Sequence, residues 1–125
     1  MIMSTKDIGN VGEQEATELL TAKGYAIVGR QVRIGRVEVD ILAQKHNRII
    51  LIEVKTRKED HVDDNFAIDR EKLSRLARAA DNYVRMKNLP HEVQIDAILV
   101  TNRPDGTRSL VHLEDITLPP RRSRR

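Results

Sequence analysis

The segment Ile49-Ile50-Leu51-Ile52-Glu53-Val54-Lys55 runs from four apolar residues directly into a carboxylate and an ammonium. Side chains alternate between the two faces of a strand, so Glu53 and Lys55 share a face with Leu51. If both faces of this strand are covered, the two charged groups enter the interior together. Burying an unpaired charge is costly, so an ion pair, a bound metal or a catalytic role has to account for them.

The preceding segment is also typical of a strand, and it carries an acid of its own. Apolar residues alternate around Asp40 and predict a strand over Val37–Ala43. Residues 44–47 are the predicted turn into the next strand, and a link this short requires an antiparallel hairpin. Asp40 lies a few residues before the turn and Glu53 lies well after it. We therefore expect the two strands to splay near Asp40 if the two carboxylates are to meet.

The rest of the chain predicts two helices and three further strands. Apolar residues at helical spacing mark each helix, Gly24 ends the first, and Pro90 follows the second. A charged connector over Thr56–Asn65, which we expect to be mobile without a ligand, leads to the second helix. The additional elements are a helix over residues 6–23, a strand over 25–33, a helix marked by apolar residues from 67 to 84, and strands over 93–100 and 110–113.

These elements predict a single α/β domain over residues 1–117, followed by a basic, disordered tail over 118–125. The element order is α-β-β-β-α-β-β. The long helix after the third strand permits a crossover with parallel pairing, so the central sheet is expected to be mixed and flanked by helices.

Composition excludes several kinds of site and of protein. The chain has no Cys, which excludes disulfides and thiolate metal sites and leaves oxygen ligands of the kind that suit Mg²⁺ or Mn²⁺. One Phe, two Tyr and no Trp make base stacking a poor mode of nucleic-acid binding. The net charge of +3 is smaller than the four arginines of the tail supply, so it does not indicate nucleic-acid binding by the folded domain. No apolar run approaches a membrane span, and we expect a cytoplasmic protein.

Asp40, Glu53 and Lys55 form a D…ExK pattern. Two carboxylates can hold a hard divalent cation, which polarises a phosphate and lowers the pKa of a bound water. A lysine on the same face can orient that water or stabilise the developing charge. The pattern by itself is weak. From these residues alone, a metal site and a structural ion pair between Glu53 and Lys55 are equally supported.

Several blocks of sequence extend the D…ExK pattern over about residues 8–100. They are Gly9-Asn10-Val11-Gly12-Glu13, Ala16 with Leu19-Leu20, Gly24-Tyr25, Glu38-Val39-Asp40-Ile41 and Ile52-Glu53-Val54-Lys55-Thr56-Arg57. Their order and spacing, together with the GxxGE and EVKTR motifs, resemble those of the small bacterial UPF0102, or YraN-like, family. That family is regarded as having the restriction-endonuclease-like, PD-(D/E)XK fold, and it is similar to archaeal Holliday junction resolvases.

The resemblance implies a catalytic site built from this chain's own residues. Asp40 and Glu53 would bind Mg²⁺ or Mn²⁺, aided by the Val54 carbonyl. Lys55 would be the catalytic lysine, and Glu13 would be the helix-borne acid that completes the site.

The resemblance also bears on details that spacing leaves open. Helical spacing does not choose between Glu13 and Glu15 as the inward-facing acid, and the resemblance selects Glu13. The chain departs from the family pattern at Val37, where the family usually has Gly, and at Gln31, where it has Asn. We expect Gly35 to take over the turn role slightly earlier in the chain.

The remaining charged residues each have two interpretations. Arg30 and Arg33 are candidate phosphate contacts or ordinary strand-edge charges, and Arg57 and Lys58 are candidate nucleic-acid contacts beside the ExK motif. The arginines of the second helix are interpreted as a solvated face. All four His are interpreted as surface residues, and Asp96 as the partner of a neighbouring Arg or Lys.

We therefore hypothesise a Mg²⁺- or Mn²⁺-dependent endonuclease that hydrolyses DNA phosphodiesters at branched or otherwise structured sites. DNA is expected before RNA. A homodimer is consistent with this hypothesis, because the resolvases to which the family is similar act as dimers. The alternative is a non-catalytic DNA-binding or scaffolding protein, which keeps the fold and uses Glu53 and Lys55 as a stabilising pair.

Overall fold

A computed structural model of the protein describes residues 5–59 and 70–116. Within these residues, two helices and five strands follow one another in the predicted order, so the expected α/β fold is confirmed. The elements are α1 (Thr5–Ala22), β1 (Ala26–Ile34), β2 (Val37–Lys45), β3 (Arg48–Lys58), α2 (Arg70–Met86), β4 (Glu92–Asn102) and β5 (Arg108–Leu113).

All five strands belong to one mixed sheet with the order β1-β2-β3-β4-β5. The pairs β1–β2, β2–β3 and β4–β5 are antiparallel, and β3–β4 is parallel. A parallel pair cannot be closed by a hairpin, and the segment containing α2 provides the crossover between β3 and β4. The predicted mixed sheet is therefore confirmed.

β3 is longer than predicted, and this corrects the start of the connector. Thr56, Arg57 and Lys58 are strand residues, which pair with residues 100–102 of β4. The charged residues remain in the strand because the parallel partner β4 continues alongside them and supplies main-chain hydrogen bonds. The turn from β2 to β3 is correspondingly shorter than predicted, since β2 extends to Lys45 and only His46 and Asn47 connect the strands.

The two helices cover opposite faces of the sheet. Ile50 and Ile52 of β3 pack in one buried cluster with residues of α1, whereas Ile49 and Leu51 pack in a second cluster with residues of α2. Alternate β3 side chains therefore meet different helices. This confirms the premise that both faces of β3 are covered, and it places Glu53 and Lys55 on the α2 side of the sheet.

The first half of α1 lies close to the carboxyl-terminal ends of β3 and β4. A Cβ atom built on Gly12 would come within 3.3 Å of Thr56 Oγ1 and 3.5 Å of Val100 Cγ1, so the glycine permits this close approach. The β1–β2 turn lies at the same end of the sheet. Gly35 occupies that turn with φ of 62°, which confirms its predicted role.

Three segments lie outside the described residues, namely 1–4, 60–69 and 117–125. Most of the predicted mobile connector and the predicted tail over 118–125 fall there and stay predictions. Among the residues that the structure does describe, no helix is long and apolar enough to cross a membrane.

Candidate functional site

The site is organised by a local separation of β2 from β3. Their residue pairing runs from Lys45 opposite Arg48 to Ile41 opposite Ile52 and ends there within the described hairpin. The next residue of β2 is Asp40, whose Oδ2 accepts a hydrogen bond from the main-chain N–H of Val54 at 2.8 Å. A side-chain carboxylate thus replaces the main-chain acceptor at this point. The splaying that the sequence required is confirmed.

An irregularity of β2 accompanies the splaying. Val39 packs in the α2-side cluster and Ile41 in the α1-side cluster, although residues two apart in a regular strand share a face. Opposite this point on β1, Gln31 has φ of 51°, a conformation that is unusual for a residue with a side chain. The alternation of side chains therefore breaks at Asp40.

Glu53 is the most buried acid of the D…ExK pattern, with 5 % of its surface exposed. Its Oε1 accepts a hydrogen bond at 2.6 Å from the ammonium of Lys72, which is on α2. Its Oε2 is buried and has no hydrogen-bond partner among the described residues. A buried acceptor without a partner is costly, so this oxygen is available to a ligand that carries positive charge or donates a proton.

Asp40 and Glu53 lie close enough to affect each other's ionisation. Burial raises the pKa of Asp40 to about 6, and the negative charge of Glu53 acts in the same direction. The Val54 N–H and the Lys72 charge oppose this rise, because both stabilise the ionised carboxylate. Two carboxylates are thus held close together. The Val54 N–H and the Lys72 charge only partly offset the cost of ionising Asp40 there.

Lys55 lies on the same side of the sheet as Glu53 and is partly exposed. The unbroken pairing of β3 with β4 keeps the alternation of side chains regular from Glu53 to Lys55. The ammonium paired with Glu53 belongs to Lys72, which lies outside the D…ExK pattern. Sequence periodicity gave no signal for Lys72, because its contact joins residues 19 positions apart on different elements.

Glu13 is buried but lies in a different environment from the carboxylate pair. Its Oε1 accepts from Arg30 Nε at 3.0 Å, and its Oε2 accepts from Gln31 Nε2 at 2.5 Å. The choice of Glu13 over Glu15 agrees with burial, since Glu15 is only partly buried and pairs with Arg108 of β5. Within residues 5–59 and 70–116, no group of three or more acidic or His residues is arranged to hold a metal. The structure brings Asp40 and Glu53 together without Glu13.

The four predicted nucleic-acid contacts lie on two strands that run in the same direction, since β1 and β3 are each antiparallel to β2. Arg33 and Lys58 are exposed near the carboxyl ends of these strands. Arg57 is partly buried, with its Nε 3.4 Å from Thr101 Oγ1. Arg30 is bound to Glu13 and to Gln14, so it has a structural partner in this state.

The predicted partner of Asp96 is wrong. Asp96 is completely buried, and its four hydrogen-bond donors are Tyr25 Oη at 2.7 Å, Gln94 Nε2 at 2.8 Å, His112 Nε2 at 2.7 Å and the main-chain N–H of Asp115 at 2.9 Å. These donors come from β4, from β5, from the chain between α1 and β1 and from the segment after β5. Among the described residues, no Arg or Lys side chain is hydrogen-bonded or ion-paired to this carboxylate. Burial, reinforced by Asp96, raises the pKa of Tyr25.

The interpretation of the histidines as surface residues is wrong for His112, whose side chain is 3 % exposed. The Lys23 ammonium lies 2.8 Å from its Nδ1, which assigns the imidazole proton to Nε2, facing Asp96. The sequence did contain a signal for this burial. Leu110 and His112 are two residues apart, so their side chains lie on the same face of β5. His46 is exposed as expected, His91 is half-buried against Gln44, and His61 lies outside the described residues.

The arginines of α2 agree with their interpretation. Arg75, Arg78 and Arg85 are all exposed, as a solvated helix face requires. A further exposed cation, Arg36, occupies the β1–β2 turn and was not singled out from the sequence. It adds to the positive charge at the end of the sheet where β3 carries Arg57.

The structure defines an α/β protein with a mixed five-stranded sheet and an acidic pair where two strands separate. The profile of the uncharacterised protein family UPF0102 matches residues 12–100, and the chain belongs to that family. It is 35 % identical over 115 residues to a UPF0102 protein of Parabacteroides distasonis, covering 91 % of this chain and 94 % of the relative.

Two further relatives come from other bacteria. The UPF0102 protein of Symbiobacterium thermophilum is 38 % identical over 104 residues, which covers 82 % of this chain and 88 % of that protein. The UPF0102 protein of Leifsonia xyli subsp. xyli is 38 % identical over 117 residues, which covers 91 % of this chain and 99 % of that protein. The matched region includes Glu13, Asp40, Glu53 and Lys55.

Proposed function

We propose that the protein is a metal-dependent endonuclease that hydrolyses DNA phosphodiesters, with Asp40, Glu53 and Lys55 at its catalytic centre. One observation carries the proposal: two carboxylates converge where β2 leaves β3, and a buried oxygen of Glu53 has no described partner. A purely structural acid pair would be expected to have its oxygens satisfied. The PD-(D/E)XK fold that the sequence resembles supports the same conclusion by analogy.

The donor set fits Mg²⁺ or Mn²⁺. Both metals prefer hard oxygen ligands, and Mg²⁺ sites commonly use one or two carboxylates together with water and substrate phosphate. Asp40 and Glu53 would hold the ion, aided by the Val54 carbonyl. When bound, the ion supplies a Lewis acid that polarises the phosphate and lowers the pKa of a water. Neutralising two crowded carboxylates would also stabilise the folded chain.

The protein's own groups have separate tasks in this proposal. Lys55, on the same side of the sheet as Glu53, would orient the attacking water or stabilise charge on the phosphate. The Val54 N–H holds Asp40 in place through its hydrogen bond to Oδ2. Glu13 would act from a distance, because Arg30 and Gln31 hold its carboxylate on β1.

Cations near this end of the sheet would bind the phosphate backbone. Arg33, Arg57 and Lys58 are the proposed contacts, and Arg30 would join them if it leaves Glu13. Such contacts position a nucleic acid without reading its sequence, and they weaken with salt. A branched DNA cut symmetrically by a homodimer is the substrate that we propose to test first.

A second candidate is a DNA-binding or scaffolding protein without hydrolytic activity. The ion pair between Lys72 and Glu53 favours it, since a lysine then compensates the buried acid without any metal. The pairing of Glu13 with Arg30 is likewise a stable arrangement without a ligand. This candidate predicts that Mn²⁺ leaves the thermal midpoint unchanged.

Calorimetric titration with Mn²⁺ and a cleavage assay on fluorescent branched DNA, performed on the same samples, separate the two candidates. Asp40→Ala should lose both binding and cleavage. Asp81→Ala is the matched control, because Asp81 is an exposed carboxylate on α2. Cleavage that survives in Asp40→Ala, or a folded wild type that binds no Mn²⁺ even with DNA present, contradicts the nuclease.

A further inference from the structure

Lys72 is a cation directed at the proposed metal site from outside the D…ExK pattern. It lies near the start of α2, and its Nζ approaches Glu53 Oε1 at 2.6 Å. Its positive charge also reaches Asp40, where it partly offsets the rise in pKa that burial and Glu53 cause. One ammonium therefore compensates both carboxylates of the pair.

The two ends of this ion pair differ in their surroundings. The Glu53 side chain is 7 % exposed, whereas the Lys72 side chain is 42 % exposed. A lysine of this kind has a flexible stem and a partly exposed charged end, so its ammonium can move into water when another cation takes its place beside Glu53. Glu53 cannot move away in the same manner. Any change in the partner of Glu53 therefore involves movement of Lys72.

An ammonium and a divalent cation cannot both approach the same carboxylates without repulsion. The two positive charges would lie a few ångströms apart in a half-buried site, where Coulomb interactions are stronger than in water. Binding a divalent ion to Glu53 would thus compete with the existing ion pair. The competition lowers metal affinity and keeps the acid pair compensated in the absence of metal.

We propose that Lys72 is a built-in competitor of the divalent cation: its ammonium holds Glu53 in the metal-free protein and leaves Glu53 when the ion binds. This inference rests on the proposed function, because it assumes that Asp40 and Glu53 bind a metal. Lys72 is a positioning residue in this scheme, since it acts through Glu53.

Metal affinity measured without nucleic acid tests the proposal directly. Wild type, Lys72→Met, Lys72→Arg and Arg75→Met are titrated with Mn²⁺ by calorimetry. Lys72→Met removes the charge and keeps the stem, Lys72→Arg keeps a charge, and Arg75→Met removes an exposed cation one turn further along α2. Lys72→Gln is the second neutral variant, in case the methionine variant aggregates.

Loss of the ammonium should tighten Mn²⁺ binding about five- to tenfold, the scale set by one partly exposed ion pair and the repulsion it replaces. Lys72→Arg and Arg75→Met should bind Mn²⁺ as wild type does. In EDTA, Lys72→Met should melt at a lower temperature than wild type, and Mn²⁺ should raise its midpoint by more. A merely structural ion pair would not produce the tighter binding.

The outcomes distinguish this inference from the proposed function. If wild type binds Mn²⁺ and both neutral variants bind it equally or more weakly, the role of Lys72 is overturned and the metal site stands. If neither wild type nor any variant binds Mn²⁺, the metal site itself fails. Binding by Lys72→Met alone would support the competition strongly, since only removal of the ammonium would then open the site.

Discussion

Replacing Asp40 by Asn should make the metal-free protein more stable at neutral pH. The carboxylate has a pKa raised from 3.8 to about 6, chiefly by burial and then by the Glu53 charge. The folded protein therefore favours the protonated form, and ionisation at higher pH opposes folding. Asn stays neutral, keeps nearly the same shape, and can still accept the hydrogen bond from the Val54 N–H.

The size of the stability gain and the pH range over which it develops both follow from the pKa shift of Asp40. About two pKa units correspond to an upper limit of about 3 kcal/mol, and partial exposure of Asp40 reduces the expected gain to about 1–2 kcal/mol. Below pH 3.8 the carboxyl is protonated in both the folded and unfolded chain, so the two proteins should be equally stable. The advantage of Asp40→Asn should grow as the pH rises from 3.8 to about 6 and stay constant above it.

Urea unfolding in EDTA at a series of pH values measures this difference. Asp81→Asn serves as the control, because it removes an exposed carboxylate and should show no such pH-dependent gain. With saturating Mn²⁺ the order should reverse, since only wild type retains both metal ligands. An Asp40→Asn protein that is less stable than wild type in EDTA at pH 7.5 would refute the argument that crowded carboxylates oppose folding.

Three further outcomes are expected. Lys55→Met should reduce DNA cleavage at least about a hundredfold with little change in the thermal midpoint, whereas a residual activity near wild type would exclude Lys55 from the chemistry. His112→Ala should lower the free energy of unfolding by about 2–4 kcal/mol, because Asp96 loses a buried donor, while Mn²⁺ affinity should not change. Gly35→Ala should lower the free energy of unfolding in urea by about 1 kcal/mol. Gly35 has φ of 62°, which strains a residue with a side chain, although no atom lies within 4 Å of the added Cβ.

The predictions that succeeded rest on short stretches of chain. The order of helices and strands follows from local periodicity, and the hairpin between β2 and β3 follows from the length of its turn. The shared face of Glu53 and Lys55 needs only the two-residue repeat of a strand. The end of β3 was misplaced because charged residues after Lys55 were interpreted as connector, while pairing with β4 keeps them in the strand.

The predictions that failed involve partners that are distant along the chain. Asp96 receives a hydrogen bond from Tyr25, 71 positions away, so no local pattern could indicate that its partners would be a tyrosine and a histidine. His112 was assigned to the surface together with the other three His, because none of the four shows metal-ligand spacing along the chain. Here the buried acid on the neighbouring strand gives the imidazole a partner and makes its burial favourable.

The sequence by itself determined the α/β class and the element order through local periodicity. The order and spacing of its short motifs indicated the family, and that resemblance implied Asp40, Glu53 and Lys55 as the candidate centre. Only the tertiary structure decided that the Val54 N–H holds Asp40 where the strands separate, that Lys72 compensates Glu53, and that Glu13 is held by Arg30. Each of these depends on where two elements pack against each other. Such packing is set by the whole core, and no short segment of the chain encodes it.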